Sequence, residues 1–333
     1  MSELAAAQIE QLEHSDSPHL SPNQRAWRRF KRNRVAFLSL WVLLCLAIVV
    51  SVWPLLLKTL SATGAAGTSV AQQLEPDRVS DDQFRSPNSR HWFGTDVHGR
   101  DLLSRVLYGA QVSLMVGMVG ACVSLVIGVL WGAIAGYCGG RTDNVMMRMV
   151  DVIYSLPSII FVIVLITTLE GVLKAWLSRG TTLGVDTWAR VIFLILGLGA
   201  VSWLTMARIV RGQVLSLRNR PFVEASQALG AGPVRVLARH IIPNILGVAI
   251  VYLTLTVPEI VLYESFLSYL GLGIQPPMAS WGSLIAEGAD QINPIRIYWW
   301  LIVFPGAFLA MTLLALNFLG DGLRDAWDVR VER

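Results

Sequence analysis

An all-α integral membrane protein with six spanning helices is the fold class this sequence predicts, and three observations predict it. Of its 333 residues, 54% are hydrophobic and only 15% charged, where soluble domains carry about a quarter charged residues. Six runs are free of charge: Val35–Leu57, Val106–Gly140, Val152–Leu169, Val191–Ala207, Ile241–Pro258 and Ile297–Gly320, of 23, 35, 18, 17, 18 and 24 residues. A spanning helix needs about 20 apolar residues, with a range of roughly 17–25. Finally, with six spans and the N-terminus inside, the inner segments hold 17 of the 27 Lys and Arg residues. Six of those (Arg25, Arg28, Arg29, Lys31, Arg32 and Arg34) stand directly before the first run. Basic residues beside a span resist translocation, so both termini are expected in the cytoplasm.

Taken in order, residues 1–34 read as a cytoplasmic tail, acidic and loose to Asp16, then basic around Trp27 and Phe30. A basic helix with aromatic residues suits an anionic membrane surface. Residues 35–57 form the first anchor. The polar stretch before it and its length argue against a cleaved signal peptide. Residues 58–105 form an extracytoplasmic segment long enough for an ordered cap, with turn formers crowded into Phe93–Asp101. Residues 106–320 are a five-helix core and 321–333 a cytoplasmic tail. The 35-residue run exceeds one perpendicular crossing, so its ends are expected to reach into the interface. Within it, Gly120, Ser124, Gly128, Gly132, Gly136 and Gly140 recur every fourth residue. That spacing draws one smooth strip along a helix face, where another backbone can approach closely in lipid.

Pro157, Pro258 and Pro305 fall within the third, fifth and sixth spans; each removes a backbone donor and permits a kink. Ser265–Ala286 is a further charge-free stretch, but it contains Gly271, Gly273, Pro276, Pro277 and Gly282. Irregular backbone at membrane depth needs cover from protein or a water-filled cavity. The stretch is therefore read as an outer loop that can dip inward.

Few residues suggest chemistry. Cys45, Cys122 and Cys138 give neither a disulfide framework nor a metal spacing, and burial as small hydrophobes is expected of them. His14, His19, His91, His98 and His240 all lie outside the apolar runs, and His240 is expected to hydrogen-bond within a loop. Gly-x4-Gly-Lys-Ser/Thr, His-Glu-x-x-His and Gly-x-Ser-x-Gly are absent, so neither a phosphate loop nor those hydrolytic sites are expected here. No aromatic-lined soluble domain accompanies the basic residues, which argues against nucleic acid. Glu259 and Glu264 are the acids in the outer part of the fifth span. An intramembrane carboxylate marks a pathway or a paired contact, so both are candidates for a translocation path, against solvation at the outer interface. Arg148 and Asp151, at the inner end of the third span, are expected to pair.

The segment 208–244 carries Arg208, Arg211, Arg218, Arg220, Arg235 and Arg239 against one acid, Glu224. A helix is expected to start after Pro221, with Glu224 in its first turn, where a carboxylate suits the positive helix end. Gly230 and Gly232-Pro233 end it. A second short helix, Val234–His240, would lead to Pro243 at the opening of the fifth span. The outcome is a short helix held across the membrane face by a span on each side.

Glu224-Ala225-Ser226, three residues, Gly230, nine residues, then His240-Ile241-Ile242-Pro243 resembles the EAA loop of ABC importer permeases. Glu224, Ala225, Gly230 and Pro243 match that pattern, and Ser226 replaces its second alanine. His240, in place of an aliphatic residue, is similar to the peptide and nickel branch. Phe93-Gly94-Thr95-Asp96 with Gly99-Arg100-Asp101, Glu264–Gly273, Ser280-Trp281-Gly282 and Asn317–Asp325 also resemble that branch, most of all its C-type oligopeptide subunits.

The resemblance implies a type I ABC importer permease fold in the cytoplasmic membrane, embedded in lipid. It implies a homologous second permease subunit, two ABC ATPase subunits that bind ATP and Mg, and an extracytoplasmic binding protein delivering peptide. The Glu224 loop would then be the coupling helix that docks on an ATPase, and this chain would be no enzyme and bind no cofactor itself. Oligopeptides lead, with dipeptides, nickel or another small solute as alternatives. A membrane-embedded enzyme with its site in 58–105 lacks a paired-acid or Ser/His constellation there. An ion-driven secondary transporter lacks a visible inverted repeat of broken helices.

Overall fold

The computed structural model describes residues 22–62, 71–177 and 183–327. The acidic tail to Asp16 lies outside the described residues, as does part of the Val172–Trp188 turn. The helices are α1 (Pro22–Arg32), α2 (Arg34–Ala62), α3 (Leu102–Cys138), α4 (Gly140–Tyr154), α5 (Ser158–Leu177), α6 (Leu183–Leu217), α7 (Pro221–Ala228), α8 (Pro233–Val236), α9 (Ile242–Tyr269), α10 (Trp281–Ala289) and α11 (Trp300–Trp327). Among the described residues there is no strand, only a single bridge between Thr95 and Asp101. Among the described residues, five helices are long and apolar enough to cross a membrane, and α4 with α5 makes a sixth if the bent pair counts as one. The six-span reading holds in that form.

Proline decides the exceptions. The third apolar run is not one helix: α4 and α5 meet at 91°. Pro157 lacks an N–H, and its ring disfavours helical backbone at Leu156, so the chain turns at Ser155–Pro157. Pro258 and Pro305 instead lie within the continuous helices α9 and α11. Pro54 sits inside α2 and leaves the carbonyl of Val50 without its helical donor. Gln111 of α3 supplies one, its Nε2 donating to that carbonyl at 2.7 Å. A neighbouring side chain thus satisfies the freed group, which is how lipid-embedded helices accommodate proline.

Helix α3 is the centre of the bundle, packed mainly on α6 and also on α9, while α11 packs on α9 and α2. Its small residues determine this. A Cβ on Gly128 would lie 2.6 Å from the Met206 Cβ and 3.0 Å from the Trp203 carbonyl, and one on Gly136 would lie 2.9 Å from the Arg211 carbonyl. At Gly132 it would strike the Ala207 carbonyl. Gly120 faces Ile260 of α9, whereas a Cβ on Gly140 would meet nothing within 4 Å. The close-packed strip therefore ends at Gly136, and Gly139 and Gly140, both at positive φ, make the reversal into α4.

Helix α2 buries only the seam Ala36, Ser39, Leu46 and Val50, leaving Leu38, Trp41, Ile48 and Leu55 exposed. A helix apolar on all sides with so narrow a protein contact is built for lipid. The cysteines correct an expectation: Cys45, Cys122 and Cys138 are exposed on α2 and α3 rather than buried. In a helix apolar all round, an apolar residue does not reveal which face packs.

The bundle has two distinct ends. At the loop end, α6 passes into α9, and Gly322 near the end of α11 packs on Ala36 and Phe30. At the cap end, α3 begins at Asp101, whose carboxylate accepts from Ser104 N at 3.0 Å and meets His91 Nδ1 at 2.9 Å. Asp96 accepts from the amides of His98 and Arg100 and from the guanidinium of Arg105 at 2.8 Å. Arg105 also forks onto Glu287 of α10, at 2.5 and 3.0 Å. The stretch Ser265–Ala286 completes α9, turns, and starts α10, where Trp281 is wholly buried and donates from Nε1 to the Val106 carbonyl at 3.2 Å.

Candidate functional site

The connection from α6 to α9 lies at the loop end and is built from α7, α8 and a π-helical turn. Helix α6 continues to Leu217, so Arg208 and Arg211 sit on a helix rather than in an open loop, and the true connection begins at Arg218. The Arg218 guanidinium donates to the Gly136 carbonyl at 3.1 Å, giving a partner to one of the orphan carbonyls at the end of α3. Arg220 then takes an extended backbone and Pro221 opens α7, where its missing N–H is no loss.

Glu224 lies in the first turn of α7, exposed, with Ala225 also exposed and Ser226 half-buried. Val223 is the buried residue of α7. It inserts into a cluster with Val129 and Ala133 of α3, Val210 and Val214 of α6, and Val236 and Ile241 beyond the turn. The helix ends in a Schellman motif: Ala231 N donates to the Ser226 carbonyl and Gly230 N to the Gln227 carbonyl, with Gly230 at φ +85°. An L-residue is strained there. The chain then passes through α8 into a π-helical turn, Leu237–Ile241, holding the half-buried His240. Pro243 stands at the start of α9 and cannot donate to the carbonyl four residues back, and next to it Asn244 Nδ2 donates to the His240 carbonyl at 2.5 Å.

The outward face of this unit is apolar at three points. Phe222, Leu229 and Val234 are exposed, Leu229 at 89% and Val234 at 79%. Two ion pairs brace its base: Asp143 of α4 takes Arg211 in a fork, at 2.5 and 2.6 Å, and Asp151 takes Arg208 at 2.8 Å. Arg208 also lies 4.0 Å from the Tyr154 ring centroid. Asp151 therefore pairs with Arg208 rather than with Arg148, because the bend brings α4 under α6. Position alone in the sequence hides such a pair.

The two acids of α9 part company. Glu259 is exposed on the helix surface, while Glu264 is fully buried. The structure does not bring them into one site with α7; they sit toward the other end of α9. Sequence reasoning did not find Arg105, Glu287 or Gln111, whose partners lie 182 and 61 residues away.

Residues 128–333 match the family profile described as binding-protein-dependent transport system inner membrane component, and residues 21–69 match the N-terminal TM domain of oligopeptide transport permease C. The chain is 44% identical to the oligopeptide transport system permease protein OppC of Escherichia coli K12, covering 92% of this chain and 90% of that protein. It is 41% identical to the dipeptide transport system permease protein DppC of Bacillus subtilis, covering 95% and 88%. Among solved structures, the MetNI methionine ABC transporter in an inward-facing conformation aligns with a TM-score of 0.48 and 21% identity, over 68% of this chain and 97% of that one.

Proposed function

Because this chain belongs to the family of binding-protein-dependent transport system inner membrane components, we propose that it is the permease subunit of an ABC importer that carries oligopeptides across the inner membrane. It is a transport subunit, multi-pass in that membrane, and works with a partner permease, ATPases and a binding protein. In the full reading, the partner permease is a homologue, two ATPases hold ATP and Mg, and α7 with Glu224, Ala225, Ser226 and Gly230 docks on one of them. His240 and Pro243 set the angle at which the connection re-enters α9. Gly120, Ser124, Gly128, Gly132 and Gly136 hold the α3 packing surface that follows α7.

One observation carries this reading: α7 offers Phe222 and Leu229 outward while Val223 roots it in the cluster shared by α3 and α6. A displacement of α7 is thereby delivered to the long helices rather than absorbed by a floppy loop. Closure of the ATPases on ATP would bring the two coupling helices together and favour one of two bundle arrangements, with hydrolysis resetting them. Two states biased by a ligand at a separate site are what coupling requires. Under this topology the loop end and both termini face the cytoplasm, and the cap end meets the binding protein. Glu259, exposed on α9, is the better placed of the two acids to line a solute path.

A dipeptide solute is the second reading, supported by the relative DppC at 41% identity. Competition of uptake by peptides of increasing length separates the two. For the coupling assignment, L229C in intact cells is the direct test. It should react with a membrane-impermeant maleimide only after permeabilisation and should cross-link to the ATPase. Reaction from outside, or full uptake by this chain without an ATPase, overturns the proposal.

A further inference from the structure

Glu264 is fully buried, and its hydrogen-bond partners among the described residues are all serines. Ser268 Oγ donates to Oε1 at 2.7 Å, Ser113 Oγ of α3 donates to Oε2 at 2.9 Å, and Ser265 Oγ reaches Oε2 at 3.3 Å. Two of these hydroxyls are also acceptors. The amide of Ile274 donates to Ser268 Oγ at 2.9 Å, and the amide of Trp281 to Ser113 Oγ at 3.3 Å. Each chain runs the same way, from a backbone N–H through a hydroxyl to the carboxyl. Hydrogen bonds in series polarise one another, most of all where water is excluded. Segment 274–281 thus hangs at both ends from one carboxyl group, through serines on two different helices.

The backbone around it is fitted to that arrangement. Gly273 lies against Ser268 and Gly282 against the Ser265 carbonyl, and neither has room for a Cβ. Met278, Ala279 and Ser280 are buried, while Gln275, Pro276 and Pro277 between the two tethers are exposed. The apex stands at the cap end, opposite α7. A buried carboxyl placed only to fill space would not require two relays to the same loop.

We infer that Glu264 is a positioning residue that fixes segment 274–281, and with it the exposed Gln275–Pro277 apex, on α3 and α9, and that it is not a wall of the solute path. The functional half rests on the importer reading, in which the cap end receives the loaded binding protein. The experiment uses the assembled transporter in proteoliposomes, with the three native cysteines replaced and A279C as reporter, a site 2% exposed. Maleimide labelling at A279C should be slow with Glu264 present. E264L and the S113A/S268A pair should each accelerate it at least about tenfold, the scale of a lost buried hydrogen bond, while E264Q, which keeps one accepting oxygen, should fall between.

The same variants should raise the half-saturating concentration of loaded binding protein, and E264Q should rescue part of that loss. Labelling at the parent rate in E264L with uptake abolished overturns the inference, because Glu264 then acts elsewhere. Should E264L fail to assemble, S113A and S268A singly decide, since both leave the carboxyl in place; unchanged labelling in both overturns it. A parent complex that takes up no peptide sinks the importer reading instead, and the labelling series still judges the tether.

Discussion

Replacing Gly132 by alanine adds one methyl group at the tightest point between α3 and α6. Its Cβ would meet the Ala207 carbonyl oxygen, Val210 Cβ at 2.9 Å and Arg211 N at 3.0 Å. Carbon atoms prefer about 3.5–4.0 Å, and two of the three neighbours are backbone that cannot rotate aside. The helices must part by about half an ångström or more, and overpacking of this kind costs about 1–3 kcal/mol. Alanine recovers about 1 kcal/mol of helix propensity, which leaves a net loss of about 1–2 kcal/mol at the upper end of that range. The internal control is Gly212 in α6, where an added Cβ meets nothing within 4 Å. The same substitution there should gain about 0.5–1 kcal/mol. Two identical chemical changes should therefore differ by about 2–3 kcal/mol. At about 2–4 °C per kcal/mol, that separates their thermal midpoints by roughly 4–12 °C. Stepwise heating of the detergent-solubilised complex, followed by fluorescence-detected gel filtration, measures it. A G132A variant as stable as G212A would refute the close-packing argument.

Three further outcomes are expected. Q111L leaves the Val50 carbonyl without a donor, which should destabilise by about 1–3 kcal/mol; adding P54A, which returns a backbone N–H, should recover most of it in a double-mutant cycle, and strict additivity would count against the bond. R211K keeps the charge but loses the fork onto Asp143, so its midpoint should fall by the equivalent of about 1–2 kcal/mol, and D143N should add little on that background. G230L strains a left-handed position by about 1–2 kcal/mol, and E224A removes the carboxylate from the first turn of α7. Both should assemble yet hydrolyse more ATP per peptide transported, and a normal ratio in both would refute the coupling role.

What the sequence made legible was local. A charge-free run of 17 or more residues has one good solution in lipid, and the boundaries of α7 follow from Pro221, Gly230 and Gly232-Pro233 within a dozen positions. The Asp101 cap could have been read in the same way, as an acid directly before an apolar run. Pairings across the fold were hidden. Ser113 meets Glu264 across 151 residues, and nothing near either one announces the other. Proline was ambiguous for the same reason: Pro157 breaks a span and Pro258 rides within one, depending on neighbours in space. Burial within a span was illegible too, since Cys122 and Ala121 look equally apolar while one is exposed and the other buried.

The absence of side chains along the α3 strip has a mechanical consequence. At Gly128, Gly132 and Gly136 the two helices leave no room even for a Cβ between them, and a pair this close can swing together as one lever. At 1.5 Å per residue, the 37 residues of α3 make that lever roughly 55 Å long. A tilt of about 5° imposed at one end sweeps the other through roughly 5 Å, close to the height of one helical turn. Leverage of that kind needs no intervening joint, and in the proposed importer it would carry a displacement at α7 to the opposite membrane face.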